Sequence, residues 1–405
     1  MKKISKTSNL LSLIYSMLST ISVYLLSFIL ADKSKVLFGE FSSFIFLLNI
    51  FVSSAGVGID IQTIRLFIKD KTAQINTYFF IGCILNLWLA LLYIIISISL
   101  NNLLYIIAFP VVISQFFITY IAGRLQSEKK YLEMSFTFNS INILRLLFMI
   151  VILYFEKYPD LKLIIISFTV IHSAFTFYII YKNRVFFKLT SFNSYIRLTN
   201  KNKVYSLGIL AIAPFLHMLI YQSDIVILSI YFEPTIIASY SIVVTILTAI
   251  YYFPSLIANR YLLSYLLDIG YKRKKNKAKL FHYYNLSCFV LVIFLYFLSK
   301  TIFSILFSGK YIESYEIFQL LLIACLFRLL SIPIATSLNT DVLAPKKISI
   351  MAFIAIINII FNFIFVPRYG INFLILSTIL TEILLFTSYL TLLKKHEKLH
   401  FRSSL

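Results

Sequence analysis

The chain reads as a succession of long apolar runs separated by short polar stretches. A helix needs about 20 residues to cross a hydrocarbon layer of about 30 Å, and most of these runs reach that length. Inside such a layer every backbone N–H and C=O must be satisfied within its own segment, so uninterrupted runs predict helices rather than open strands. Twelve helices are predicted, at residues 9–31, 37–59, 76–100, 102–122, 135–155, 161–181, 205–231, 235–258, 280–298, 315–337, 348–366 and 371–393. The first run follows Lys2, Lys3 and Lys6 and lacks a small-x-small cleavage site, so it is expected to be the first membrane helix rather than a removed leader.

The basic residues test this division, because cytoplasmic loops collect Lys and Arg. With the N-terminus inside, 28 of the 37 Lys and Arg fall in inner segments and seven in outer ones, at Lys33, Lys35, Lys157, Lys162, Lys300, Lys310 and Arg368. A miscounted helix would move every later loop to the other side and erase that bias. The long inner stretch 182–204 lies midway along the chain. The expected fold is therefore an all-α integral membrane protein of about twelve transmembrane helices. They form two six-helix lobes, 1–190 and 191–405, around a central cavity, with both termini cytoplasmic. A weak internal echo agrees: Gly39-Glu40-Phe41-Ser42 leads toward Arg65 in the second helix, and Ser239-Tyr240-Ser241 leads toward Arg260 in the eighth.

Composition narrows the function. With 60% hydrophobic and 13% charged residues the chain has more apolar surface than a soluble core can hide. The net charge of +21 is placed between apolar runs, where membrane anchoring accounts for it, and no nucleic-acid partner is expected. Cys83, Cys288 and Cys325 are isolated and form no Cys/His cluster, so no metal or other cofactor is expected. No Walker A, HExxH or GxSxG motif and no long outer loop is present, so the chain is expected not to be an enzyme.

The ionisable residues at membrane depth carry the chemistry, since a charge near the bilayer centre costs at least about 2.5 kcal/mol. Arg145 lies midway along the fifth helix and Arg328 midway along the tenth. Each can grip a phosphate with a planar fork, or be held by an acid or by backbone carbonyls. Asp224 in the seventh helix and Glu382 in the twelfth can carry a coupling proton or neutralise an arginine. Arg65 and Arg260, at inner helix ends, can touch phosphate at a cavity mouth or serve as anchors. His172 and His217 read as hydrogen-bonded packing. The basic run 272–277 reads as a contact with anionic lipid heads.

The order of short motifs resembles the Wzx-type polysaccharide flippases of the multidrug, oligosaccharidyl-lipid and polysaccharide exporter superfamily. The residues are Gly39-Glu40-Phe41, Gly56-Val57-Gly58-Ile59-Asp60 and Arg65, then Gln222-Ser223-Asp224, Glu233-Pro234 and Tyr240-Ser241 with Pro254 beyond. Near the end come Leu306-Phe307-Ser308-Gly309-Lys310-Tyr311, Leu338-Asn339, Asn358, Asn362 and Val366-Pro367-Arg368-Tyr369-Gly370. The chain departs from the pattern at Ile371-Asn372-Phe373 and at Ala238-Ser239. The resemblance implies a flippase in a bacterial inner membrane. It would move undecaprenyl-diphosphate-linked oligosaccharide from the cytoplasmic to the periplasmic leaflet for O-antigen or capsule synthesis. The implied partners are that lipid-linked oligosaccharide, membrane lipids, a polysaccharide polymerase and a chain-length regulator. Arg145, Arg328, Arg65 and Arg260 would hold the diphosphate, and Asp224 and Glu382 would couple an ion. The alternatives are a multidrug or cation antiporter of the same superfamily, whose cavity should be acidic, and a Wzy-type polymerase, which should show a large periplasmic loop.

Overall fold

The computed structural model describes residues 6–68, 74–156, 159–187, 201–257, 274–307, 309–338 and 343–402. Among the described residues all regular structure is helical. The helices are α1 (Lys6–Lys33), α2 (Lys35–Val52), α3 (Ile59–Ile68), α4 (Ile75–Ser99), α5 (Phe109–Ser127), α6 (Tyr131–Phe155) and α7 (Leu161–Lys182), with a 3-10 turn at Leu103–Ala108 leading into α5. After them come α8 (Lys201–Tyr231), α9 (Pro234–Ile257), α10 (Lys274–Phe307), α11 (Ser314–Ser337) and α12 (Ala344–Arg402).

Eleven segments among the described residues are long and apolar enough to cross a membrane. The last, Ala344–His396, has 53 residues, enough for two crossings at about 20 residues each. It bends at Gly370, whose φ of 65° and ψ of −154° end one arm (344–369) and start the other (371–402). Glycine reaches this backbone region without the steric cost a Cβ would bring. The predicted boundary between the last two helices falls at this bend.

The second predicted helix, 37–59, needs correction. It stops at Val52, and a tight turn with positive φ at Val57 (50°) and Gly58 (67°) leads into the separate short helix α3. Close packing makes the break possible. A Cβ on Gly56 would lie 2.5 Å from the Thr119 side chain, and one on Gly123 would lie 2.6 Å from the Asp60 Cα. Small residues thus let the turn and α3 sit directly on α5, the way helices approach in lipid.

The chain forms two compact units, Met1–Leu30 with Ser43–Met218, and Ala31–Ser42 with Leu219–Leu405. In the first, α5 packs against α3, α4, α6 and α7, and its buried rings Phe116 and Tyr120 meet Phe79 from α4. Helices α1 and α6 are joined by a polar seam. Tyr15 OH meets Ser140 Oγ at 2.8 Å, Asn139 Nδ2 donates to Ser16 Oγ at 3.1 Å, and Asn142 Nδ2 donates to Ser19 Oγ at 3.0 Å.

In the second unit α11 packs against α9, α10 and α12. The corner between α1 and α2 docks here. Tyr311 OH donates to the Ala31 carbonyl at 3.3 Å, its ring meets Phe38 edge-on, and Lys310 pairs with Asp32 at 3.1 Å. Gly39 is required at this corner, because a Cβ there would lie 1.8 Å from the Pro234 carbonyl oxygen.

Candidate functional site

Helical spacing gathers the polar residues of the second unit. Tyr221 and Asp224 are three apart on α8, Thr378 and Glu382 four apart on the second arm of α12, and Tyr240 and Tyr251 eleven apart on α9. Each pair therefore shares one face of its helix. With Arg328 from α11 they line one narrow pocket of about 40 Å³.

Asp224 is 3% exposed and saturated with donors. Oδ1 accepts from Asn362 Nδ2 at 2.9 Å, and Oδ2 accepts from Thr378 Oγ1 at 2.8 Å and from Tyr240 OH at 3.4 Å. The network continues away from the acid. Ser377 Oγ donates to Asn362 Oδ1 at 2.6 Å, Asn362 Nδ2 also reaches Asn358 Oδ1 at 3.2 Å, and Asn358 Nδ2 donates to Thr381 Oγ1 at 2.8 Å. The hydroxyl oxygens of Thr378 and Tyr240, together with the Asp224 carboxylate, are hard ligands of the kind a small cation prefers.

Arg328 and Glu382 share the pocket differently. The guanidinium centre lies 3.4 Å from the ring centre of Tyr221 and 4.0 Å from that of Tyr251, so aromatic rings stack on it. Among the described residues no ion pair joins it to Glu382. Glu382 is 2% exposed, and its Oε2 is buried with no hydrogen-bond partner.

In the first unit Arg145, on α6, is partly exposed. Its Nη2 donates to His172 Nδ1 at 2.8 Å, and its guanidinium lies over the Phe168 ring, 5.1 Å from the centre. Arginine can only donate, so Nδ1 of His172 is the acceptor and the ring proton sits on Nε2. That Nε2 and the Arg145 Nε are both buried without an acceptor.

The same arrangement of helices occurs in proteins of known structure. The lipid II flippase MurJ, in an inward closed conformation, superposes with a TM-score of 0.71 at 16% identity, covering 95% of this chain and 87% of that one. A multidrug resistance MATE family transporter of the MOP superfamily, inward-facing, gives 0.69 at 11% identity, covering 96% and 99%. This chain shares the fold of these two proteins. A eukaryotic MATE transporter shares it with a TM-score of 0.58 at 13% identity, covering 96% and 93%. No family model and no curated protein sequence matches the chain.

Within this fold, the structure brings Asp224, Glu382 and Arg328 to one pocket. Arg145 stands in the first unit with His172. Arg65 is an exposed residue of α3 rather than the end of α2. Arg260, Lys272 and Arg273 lie outside the described residues, and the rest of the basic run, 274–277, forms the start of α10. Sequence reasoning missed the partners. His172, read as packing, holds Arg145, and Tyr221 and Tyr251, two of 28 tyrosines, hold Arg328. Asn358 and Asn362 stood out only through the family resemblance, and Tyr240 through that and the internal echo. Thr378 carried no signal at all.

Proposed function

We propose that this protein is a flippase that moves an undecaprenyl-diphosphate-linked oligosaccharide from the cytoplasmic to the periplasmic leaflet of a bacterial inner membrane by alternating access. It would feed O-antigen or capsule synthesis beside a polymerase and a chain-length regulator. The observation that carries this reading is Arg328: a permanently charged guanidinium at membrane depth, stacked on two tyrosines and bound to no carboxylate among the described residues. Such a group has edge donors for a phosphate, and a charge in lipid with no carboxylate bound to it needs a purpose. Arg145, fixed by His172 and free of acidic partners among the described residues, supplies a second cation. Arg65 and Arg260 would meet the head group at the inner mouth. The name of the MurJ neighbour, a lipid II flippase, supports a lipid-linked substrate.

The Asp224 cluster is the ion-coupling site in this reading. A pocket of about 40 Å³ is far too small for a diphosphate and matches a monovalent cation or one or two waters. Binding of the head group at Arg328 would therefore require the pocket to open, and a cation at Asp224 would bias that opening.

A second reading is favoured by one specific observation: the pocket holds two carboxylates against one guanidinium. A cation or multidrug antiporter would use such an acidic balance, as the MATE neighbours' names suggest. Reconstitution separates the readings. Proteoliposomes carrying a fluorescent isoprenyl-diphosphate sugar should flip it when the protein is present and lose that activity with Arg328→Ala. If the lipid is not flipped while a cationic dye is exported against a sodium or proton gradient, the antiporter is the right assignment.

A further inference from the structure

The two carboxylates of the pocket differ in a way the transport reading leaves unused. Asp224 is engaged by three donors, whereas Glu382, equally buried, has an oxygen that meets no donor. Arg328 is the natural partner of Glu382, yet the two do not close into an ion pair. The cause is visible in the stacking. With the Tyr221 and Tyr251 rings 3.4 and 4.0 Å from its centre, the guanidinium is fixed where they hold it, and Glu382 reaches it only through the field. A buried pair held apart in this way keeps the arginine edge open to another anion, and leaves the glutamate without hydrogen-bonded compensation.

Charge balance in the pocket sets the response to a bound anion. Asp224, Glu382 and Arg328 sum to one negative charge when all are ionised. Adding a phosphate group beside Arg328 places a second anion against Glu382 in a medium of low dielectric, where like charges cannot both remain ionised. Resting on the flippase reading, we propose that Glu382 takes up one proton each time the substrate's anionic group binds beside Arg328. The proton comes from water on the open side, forms an O–H bond at the glutamate carboxyl, and leaves again when the anion departs. Tyr221 and Tyr251 are positioning residues that keep the arginine available. The other groups facing Glu382 are Asp224 and Tyr221 from α8, Tyr240 and Tyr251 from α9, Cys325 and Arg328 from α11, and Thr378 and Tyr389 from α12. Of these only Asp224 and Arg328 ordinarily carry charge at neutral pH.

Proton uptake can be counted by titrating the purified protein in nanodiscs with farnesyl diphosphate at pH 7, by calorimetry in two buffers of different ionisation enthalpy. The wild type should take up close to one proton more per bound ligand than Glu382→Gln, while Glu382→Gln keeps binding within about tenfold. Glu382→Asp, which retains a titratable group, should keep the uptake and guards against a variant that fails to fold. Asp224→Asn should keep it as well. Equal proton counts in wild type and Glu382→Gln would overturn the proposal, and so would uptake lost in Asp224→Asn but retained in Glu382→Gln. Failure of the wild type to bind farnesyl diphosphate at all would instead remove the flippase reading on which the proposal rests.

Discussion

Asp224 and Arg328 are each surrounded by groups that suit only one chemical form, which makes their conservative substitutions informative. Asp224→Asn replaces an acceptor oxygen by an NH2 facing the donors Asn362, Thr378 or Tyr240. A mismatched buried polar group costs about 1–3 kcal/mol. The variant should therefore melt several degrees lower in detergent and lose cation-dependent transport; a wild-type melting profile would argue that the network is not formed. Arg328→Lys keeps the charge but loses the planar group stacked on Tyr221 and Tyr251. Affinity for an isoprenyl diphosphate should fall at least about tenfold, which corresponds to about 1.4 kcal/mol. Unchanged affinity would mean that Arg328 acts as a simple counter-charge. Both residues were legible in the sequence because an ionisable side chain in an apolar run is conspicuous. Their partners were not, since the bond between Asn362 and Asp224 joins positions 138 residues apart and the partner is a neutral side chain of a type that occurs throughout the chain.

At the level of the helix, the glycines rank the constraints. Gly370 combines a φ of 65° with a ψ of −154°, a region reserved almost entirely for glycine, and a side chain there costs about 1–3 kcal/mol. Gly39 faces backbone that cannot swing away, with the Pro234 carbonyl 1.8 Å from where a Cβ would stand. Gly309 has a φ of 83° but open space around it. Alanine at each position should therefore lower thermal stability most at Gly39, less at Gly370 and least at Gly309, as thermal melts of the three purified variants will show. The reverse order would mean that backbone strain outweighs the close approach at the α1–α2 corner. The bend at Gly370 was readable from Pro367-Arg368-Tyr369-Gly370, a cluster of breakers and a charge between two apolar runs. The break after Val52 was not. Ser53-Ser54-Ala55-Gly56-Val57-Gly58 is small and free of charge, as a continuing membrane helix can be, and the contact with Thr119 and the seat of Asp60 on Gly123 are visible only in the tertiary packing.

For the molecule as a whole, the arrangement of charge predicts which loops face which compartment. In a variant with Cys83, Cys288 and Cys325 replaced, a single cysteine at Lys130 should react with a membrane-impermeant reagent only from the cytoplasmic side, and one at Lys162 only from the other. Labelling of both from one side would break the twelve-helix topology. The corner made by Asp32 and Lys310 offers a contrast in magnitude. Their side chains are 58% and 47% exposed, so Asp32→Ala should change stability by less than about 1 kcal/mol. The corner is held instead by buried Phe38 and Tyr311 and by the Gly39 approach.

The amino-acid sequence by itself determined the solvent, the number of crossings, the expected orientation and the positions of Arg145, Arg328, Asp224 and Glu382. Each of these follows from hydrophobic length or from the cost of a charge in lipid, and both are properties of short stretches of chain. Tertiary structure alone decided that Asp224, Glu382 and Arg328 share a pocket, that Arg145 leans on His172, and that the second helix breaks before Ile59. Those outcomes depend on which helix faces touch. In a chain so uniformly apolar, that choice is made by close packing and by hydrogen bonds between distant, uncharged side chains, which leave no periodic mark along the sequence.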